Sequence, residues 1–386
     1  MMRRRLFEAE HDLFRDQARR FFREQVQPQA ARWREQGYVE RQAFEAAGER
    51  GYLLMWADQR YGGAGVTDFR YEQILCEENV QHGEPGFFMS AHSRLMAPYL
   101  GHFGSEEQRQ RWLPSCVRGK TILGIAMTEP DAGSDLAGIR TRAEPDGEGW
   151  ILTGAKTYIS NGQIADLFIV VARTVPESRH GLGLFLVERD MPGFHRGRNL
   201  HKIGLHAQDT SELFFEGVRL SAQHVLGDPT KGFHYLTRLL AEERLISATN
   251  SLAAAQAAFD LTLEFITARR AFGRPIGAFQ NARFKMAELR AQLDATQCFL
   301  DNAVLEHNAG ALSADLAAEV KLLTSELEGR LVDECLQLHG SAGYMNEYRI
   351  SRYYTDARIS RIYAGTSEIM REIIGRSLGL DERKLQ

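Results

Sequence analysis

The chain has 386 residues, of which 44% are hydrophobic and 25% charged, and its formal net charge is −4. These are ordinary values for a folded globular protein, and the length suggests two or three lobes rather than one. The mildly acidic balance, with acids interspersed among the arginines, argues against a general nucleic-acid or anionic-membrane binder.

Four cysteines, Cys76, Cys116, Cys298 and Cys335, lie far apart with no CxxC pair. They fit buried thiols in a reducing compartment better than disulfides or a zinc site. No histidine spacing such as HExxH is present, so no metal site is expected. With no run of about 18 apolar residues, no membrane-spanning helix is expected. The start MMRRRLF is followed at once by Glu8, Glu10 and Asp12, which makes a poor signal or transit peptide and a fair amphipathic helix.

In chain order, residues 1–120 read as a helical domain. The run HDLFRDQARRFFREQV puts Leu13, Phe14, Ala18, Phe21 and Phe22 on one side, and Pro28 ends or bends it. SEEQRQRWLPSC is a further helix with Ser105 as its N-cap, whereas YGGAGV lacks the GxGxxG spacing and reads as a turn. Residues 121–230 change to short β-type runs such as TILGIAMT, WILTGAKTYIS, DLFIVVAR, GLGLFLVE and ELFFEGVRL. Without long helical patterns between them, an antiparallel barrel or sandwich is expected rather than alternating βαβ units. Residues 231–386 are helical again, with long segments from Gly232 to Ala268, Phe279 to Asn308, Ser313 to His339 and Thr366 to Leu380, which suggest a four-helix bundle. The expected class is α+β, mainly α.

Five strings could carry chemistry. The first, Met127-Thr128-Glu129-Pro130-Asp131-Ala132-Gly133-Ser134-Asp135, is a strand leading into a turn rich in hydroxyls and backbone N–H groups, suited to a planar heterocycle or a phosphate. Lys156-Thr157-Tyr158-Ile159-Ser160-Asn161-Gly162 offers an aromatic ring and a hydroxyl two residues apart, on one side of a strand. Arg269 to Pro275 ends a helix with dense positive charge, and Gln337 to Tyr344 ends another in a glycine-rich loop. Arg361-Ile362-Tyr363-Ala364-Gly365-Thr366-Ser367-Glu368 precedes the last helix, with Thr366 or Ser367 placed to cap it. Taken singly, each also reads as an ordinary turn, cap or loop.

In this order and spacing the strings resemble the acyl-CoA dehydrogenase family over essentially the whole chain. HDLFR, IAMTEPDAGSDL, AQDT, ELFFE, QLHG and GTSEIM are closest to its long-chain branch. The resemblance implies FAD between the β domain and the C-terminal bundle. Ile125, Ala126, Met127, Thr128, Gly133 and Ser134 would border the flavin, with Ser134 also on the path of the CoA moiety. Tyr158, Ile159 and Ser160 would cover the ring. Arg269, Phe272, Gln280, Gln337, Leu338, His339, Gly340 and Ser341 would bind the diphosphate and adenosine, partly from a neighbouring subunit of a homotetramer built as a dimer of dimers. Many members carry Gly where this chain has Ser341. Thr366, Ser367 and Glu368 would also meet FAD. Substrate contacts would come from His234, Arg244, Ala364 and Gly365, and His234 stands where the long-chain branch often has Tyr.

Many family members place the catalytic glutamate just before the last Gly-Thr, but here that position is Ala364. The long-chain and isovaleryl branches supply it instead from a long helix, immediately before an arginine. In Ala241-Glu242-Glu243-Arg244 that residue is Glu243, with Glu242 as the fallback. Neighbouring helix residues point about 100° apart, so both cannot face one ligand. The implied reaction is α-proton removal by Glu243 and hydride transfer from the β-carbon to flavin N5. The thioester carbonyl would be polarised by the Ala364 N–H and a ribityl hydroxyl, and electrons would pass to an electron-transfer flavoprotein. A long-chain or branched acyl-CoA substrate is expected. The location would be the cytoplasm of a bacterium, or the mitochondrial matrix of a eukaryote, without membrane insertion. Two rivals remain: a flavin oxidase or monooxygenase on the same scaffold, and a non-catalytic acyl-CoA-binding protein.

Overall fold

The computed structural model describes residues 4–381; Met1, Met2 and Arg3, part of the N-terminal segment considered above, lie outside them. Six α-helices come first: α1 (Ala9–Phe21), α2 (Ala30–Gln36), α3 (Arg41–Glu49), α4 (Phe69–His82), α5 (Ala97–Phe103) and α6 (Glu106–Val117). On α1, Ala18 and Phe21 are buried, with Phe22 just beyond, and Phe14 is partly covered, but Leu13 is exposed because it is turned about 100° from Phe14. Pro28 bends the run rather than ending it. A π-helical turn (Phe22–Val26) and a 3-10 turn (Gln27–Gln29) carry the chain into α2. Ser105 caps α6 as expected: its Oγ accepts the Gln108 N–H at 3.2 Å, and Gln108 Oε1 accepts the Ser105 N–H at 2.9 Å. YGGAGV is a turn, with Gly62 and Gly65 at positive φ.

Seven strands follow: β1 (Leu123–Ala126), β2 (Arg142–Asp146), β3 (Gly149–Ser160), β4 (Leu167–Arg173), β5 (Leu182–Glu188), β6 (Phe194–Asn199) and β7 (Thr210–Leu220). The expected antiparallel barrel is corrected here to a curled mixed sheet. β1 pairs β4 in parallel, Leu123 opposite Leu167, and β2 meets β4 in parallel at Arg142–Arg173, whereas the β2–β3, β3–β7, β6–β7 and β4–β5 pairs are antiparallel. A parallel pair needs a long connection, and residues 127–166 provide it by carrying β2 and β3 between β1 and β4. Apolar alternation fixes which residues are strands but not which strands become neighbours. Leu167–Ala172 of β4 are fully buried, as suits a strand flanked on both sides.

The C-terminal helices are α7 (Gly232–Ala268), α8 (Gln280–Asn308), α9 (Ala314–His339), α10 (Arg349–Ala357) and α11 (Ser367–Ser377). α7 packs along α9 and α8, α4 covers another side of α7, and α11 lies against α9. Small buried residues on α7, including Ala248, Ala255 and Ala258, allow close approach. The short α10 was missed by the sequence reading, although buried Ile350, Tyr353 and Ala357 have the spacing of a helix face. Cys76, Cys116 and Cys335 are buried as expected, whereas Cys298 is exposed. Among the described residues no helix is long and apolar enough to cross a membrane, and no cluster of three or more His, Cys, Asp or Glu could hold a metal ion.

Candidate active site

The two glutamates of α7 are separated by their partners. Glu242 meets Arg94 at 3.4 Å and His307 at 3.4 Å. Burial works against its charge, but His307 and Arg94 hold its carboxyl below the usual range. Glu243, one residue on, points elsewhere. Among the described residues its half-buried carboxylate has no hydrogen bond and no ion pair within 4 Å. Burial pushes its pKa up to about 7, with Arg244 and Lys321 only partly countering it. Tyr99 on α5 and Tyr363 both feel its charge. Arg244 is buried, and its Nε has no hydrogen-bond partner among the described residues.

The segment from Arg361 to Glu368 is held from α9. Lys321, fully buried, donates from Nζ to the Gly365 carbonyl at 2.7 Å. Ser367 Oγ donates to Glu326 at 2.7 Å, and Arg361 pairs with Glu326 at 3.3 Å. Gly329 makes room for that arginine, since a Cβ there would lie 2.1 Å from Arg361 Nη2. Thr366 caps α11 by accepting the Ile369 N–H at 3.3 Å. Ala364 and Gly365 both have positive φ, +54° and +91°. A left-handed alanine costs on the order of 1 kcal/mol or more and persists only where its surroundings impose it, often beside a ligand. At Gly365 a Cβ would also sit 2.6 Å from Met370 Cε.

On the sheet, the first two strings are locked together. Lys156, 1% exposed, donates to the Met127 carbonyl at 2.9 Å and to Glu129 Oε1 at 2.8 Å, while the Thr157 N–H donates to Thr128 O at 2.9 Å. Glu129 also accepts the N–H groups of Arg140 and Thr141. Ile125 and Ala126 are buried in β1, Met127 and Thr128 are half-buried, and Gly133 and Ser134 are exposed. A bulge in β3 between Lys156 and Ile159 leaves Tyr158 exposed at φ +58°, with Ile159 buried and Ser160 half-buried after it. Among the described residues the hydroxyls of Thr128 and Ser160 make no hydrogen bond to protein. An uncovered ring on a bulge tied through Thr157 to the Thr128 segment, with both hydroxyls unused among the described residues, suits a planar heterocycle with polar edge atoms.

The remaining predicted groups form a separate corner. Phe265 stacks on His339 at 4.2 Å, bringing the ends of α7 and α9 together. Arg269, Phe272, Gln280, Gln337, Gly340 and Ser341 are exposed there, Phe272 at φ +49°, and Leu338 is half-buried. His339 is buried, with Nδ1 at 2.9 Å from the Cys335 carbonyl, so its ring serves packing. Among the described residues the side chains of Arg269, Gln280 and Gln337 make no hydrogen bond, which suits a diphosphate and polar ligand groups. α7 is continuous, so Glu243 and Arg269 are ~39 Å apart along it at about 1.5 Å per residue. His234 is exposed in the first turn of α7, and Glu368 is exposed beside buried Ser367.

Lys321, Glu326 and Gly329 were missed by the sequence reading, and no local pattern marks them. Lys156 and Glu129 stood inside the motifs, but their pairing was not legible.

The chain matches the family models for the acyl-CoA dehydrogenase N-terminal domain over residues 8–120, the middle domain over 124–218 and the C-terminal domain over 230–379. It is 45% identical over 382 residues to the mitochondrial long-chain specific acyl-CoA dehydrogenase of Sus scrofa, covering 98% of this chain and 89% of that protein. Among solved structures, an acyl-CoA dehydrogenase from Geobacillus kaustophilus matches with TM-score 0.95 and 42% identity, covering 97% of this chain and 99% of the other. A glutaryl-CoA dehydrogenase from Mycobacterium smegmatis in complex with FADH2 matches with TM-score 0.90 and 31% identity, over 97% and 95%. Fold, motifs and relatives agree, and the chain belongs to the acyl-CoA dehydrogenases, FAD-dependent oxidoreductases of fatty acid β-oxidation.

Proposed function

We propose that the protein oxidises a long-chain or branched saturated acyl-CoA to the trans-2-enoyl-CoA, with Glu243 as the base that removes the α-proton. The observation that carries this reading is the contrast on α7: Glu242 is tied to Arg94 and His307, while Glu243 has no partner among the described residues and burial pushes its pKa up to about 7. A base poised near the working pH is matched to proton abstraction. The Ala364 N–H polarises the thioester carbonyl, and Arg244 keeps positive charge beside the reacting groups. FAD, when bound, supplies the two-electron acceptor. Thr128, Tyr158 and Ser160 would hold its ring, Thr366 to Glu368 would flank it, and the electrons would go on to an electron-transfer flavoprotein. Domain limits near 120 and 230 divide the chain around this site.

Adding saturated acyl-CoA to the purified yellow protein should bleach the visible flavin band without oxygen uptake. Peroxide formation would point to an oxidase, and no bleaching with any thioester to a binding scaffold. Because the base must be a carboxylate, kcat/KM should fall as the pH drops below about 7. A profile flat from pH 5.5 to 8 would remove Glu243 from the role.

The Arg269 corner lies ~39 Å along α7 from Glu243, at the far end of the helix. This supports a cofactor site completed by a second copy of the chain, within a homotetramer. Arg269→Ala should weaken FAD binding roughly 10–100-fold, the worth of one charged hydrogen bond, with turnover restored by excess FAD. A monomer in sedimentation that keeps FAD tightly would contradict the shared site.

A further inference from the structure

We propose that Lys321 is a positioning residue for α-proton removal: from the buried face of α9 it clamps the left-handed Ala364–Gly365 step and keeps a positive charge within reach of Glu243. The proposal rests on the reading of Glu243 as the base.

The clamp is direct, 2.7 Å from Nζ to the Gly365 carbonyl. A fully buried ammonium is an expensive way to fill space, since its desolvation must be offset by good partners. The residues one turn away on the same helix, Ala317, Ala318, Thr324 and Ser325, are buried and uncharged, so packing by itself does not call for an ammonium at 321. What the lysine adds is a hold on a strained backbone. Ala364 is kept at φ +54° just before the carbonyl that Lys321 grips. That step carries the N–H assigned to the thioester carbonyl, where small displacements weaken an oxyanion-type contact strongly.

The charge matters as well. The groups acting on Glu243 are Arg244 on its own helix, Lys321 on α9, Tyr99 on α5 and Tyr363 before α11. Those acting on Lys321 are Arg244, Glu326, Glu243 and Glu328. Arginine stays protonated, so Lys321 is the cation that a single neutral substitution can remove while leaving the base and its neighbouring arginine intact. During the step the α-C–H bond breaks, the proton goes to Glu243 and the electron pair shifts toward the thioester. Burial lowers the Lys321 pKa to about 8, so it still carries its charge across the acidic limb and there favours the carboxylate form of Glu243.

The test compares wild-type holoenzyme with Lys321→Gln and Lys321→Arg, using a saturated acyl-CoA. Lys321→Gln should keep its flavin, lose on the order of 10–100-fold in kcat with KM changed less than about threefold, and move the acidic limb of kcat/KM upward by roughly one pH unit. Without substrate, amide hydrogen exchange at residues 363–366 should quicken in this variant. Lys321→Arg, which keeps the charge but not the same contact, should leave the limb in place with an intermediate kcat. A Gln variant whose limb and turnover match wild type overturns the proposal, whatever its thermal midpoint. If the Gln variant does not fold, wild-type kcat and exchange in Lys321→Arg overturn it. A wild-type profile with no acidic limb would instead sink the assignment of Glu243, which keeps the two failures apart.

Discussion

Glu243→Gln is expected to lower acyl-CoA turnover by about 10²–10⁴-fold, the usual worth of a general base, while FAD stays bound. Glutamine keeps the shape of the side chain and removes its capacity to accept the proton. Glu242→Gln is the matched control, and its turnover should stay within about threefold, since that carboxylate is engaged by Arg94 and His307. Equal losses in the two variants would contradict the division of labour on α7.

The same substitution should stabilise the protein. Burial raises the folded-state pKa of Glu243 from 4.5 to about 7, so between those values the folded state binds the extra proton and stability falls as pH rises. Above about pH 7 the folded protein carries a poorly solvated carboxylate that glutamine does not. Thermal denaturation at pH 8 should show Glu243→Gln more stable by on the order of 2 kcal/mol, and the difference should shrink toward pH 5. A lower melting temperature at pH 8 would mean that Glu243 supports the fold rather than straining it. A destabilising group retained in a core-facing position is the usual signature of a site kept for activity.

Lys156→Met is expected to have the other large effect, on the integrity of the proposed flavin face. Removing one member of a buried ion pair leaves the second uncompensated, which costs about 3–5 kcal/mol. Here the survivor is Glu129, buried and held by Lys156 and the N–H groups of Arg140 and Thr141. Lys156 also anchors the Met127 carbonyl, so its loss loosens the segment after β1 that carries Thr128 from the bulge carrying Tyr158. The variant should purify largely without flavin and melt early. Adding Glu129→Gln to it should recover part of the stability, because the stranded charge is gone. Full flavin content with unchanged melting would show that the pair is dispensable.

Much of the candidate site was legible from the strings, for a local reason. Capping by Ser105 and Thr366, the hydroxyl-rich turn after β1 and the aromatic of β3 are properties of a few consecutive residues. Ala364 directed attention to α7 because the reaction needs a carboxylate. The resemblance points to Glu243, with Glu242 as the fallback, whereas the different surroundings of the two come from partners distant in sequence. Arg94 and His307 arrive from other helices, and neither position is implied by the EER run. The exposure of Leu13 and the buried packing role of His339 likewise came from neighbours that no local pattern names.

By itself, then, the sequence determined the helical, β and helical zones and the family resemblance, because apolar period, caps and turn residues act over a few positions. Tertiary structure decided the mixed pairing of the sheet, the left-handed step at Ala364 and the grip of Lys321 on Gly365. Strand neighbours, buried charge and backbone strain depend on which distant segments exclude water from one another, and that is set only when the chain packs.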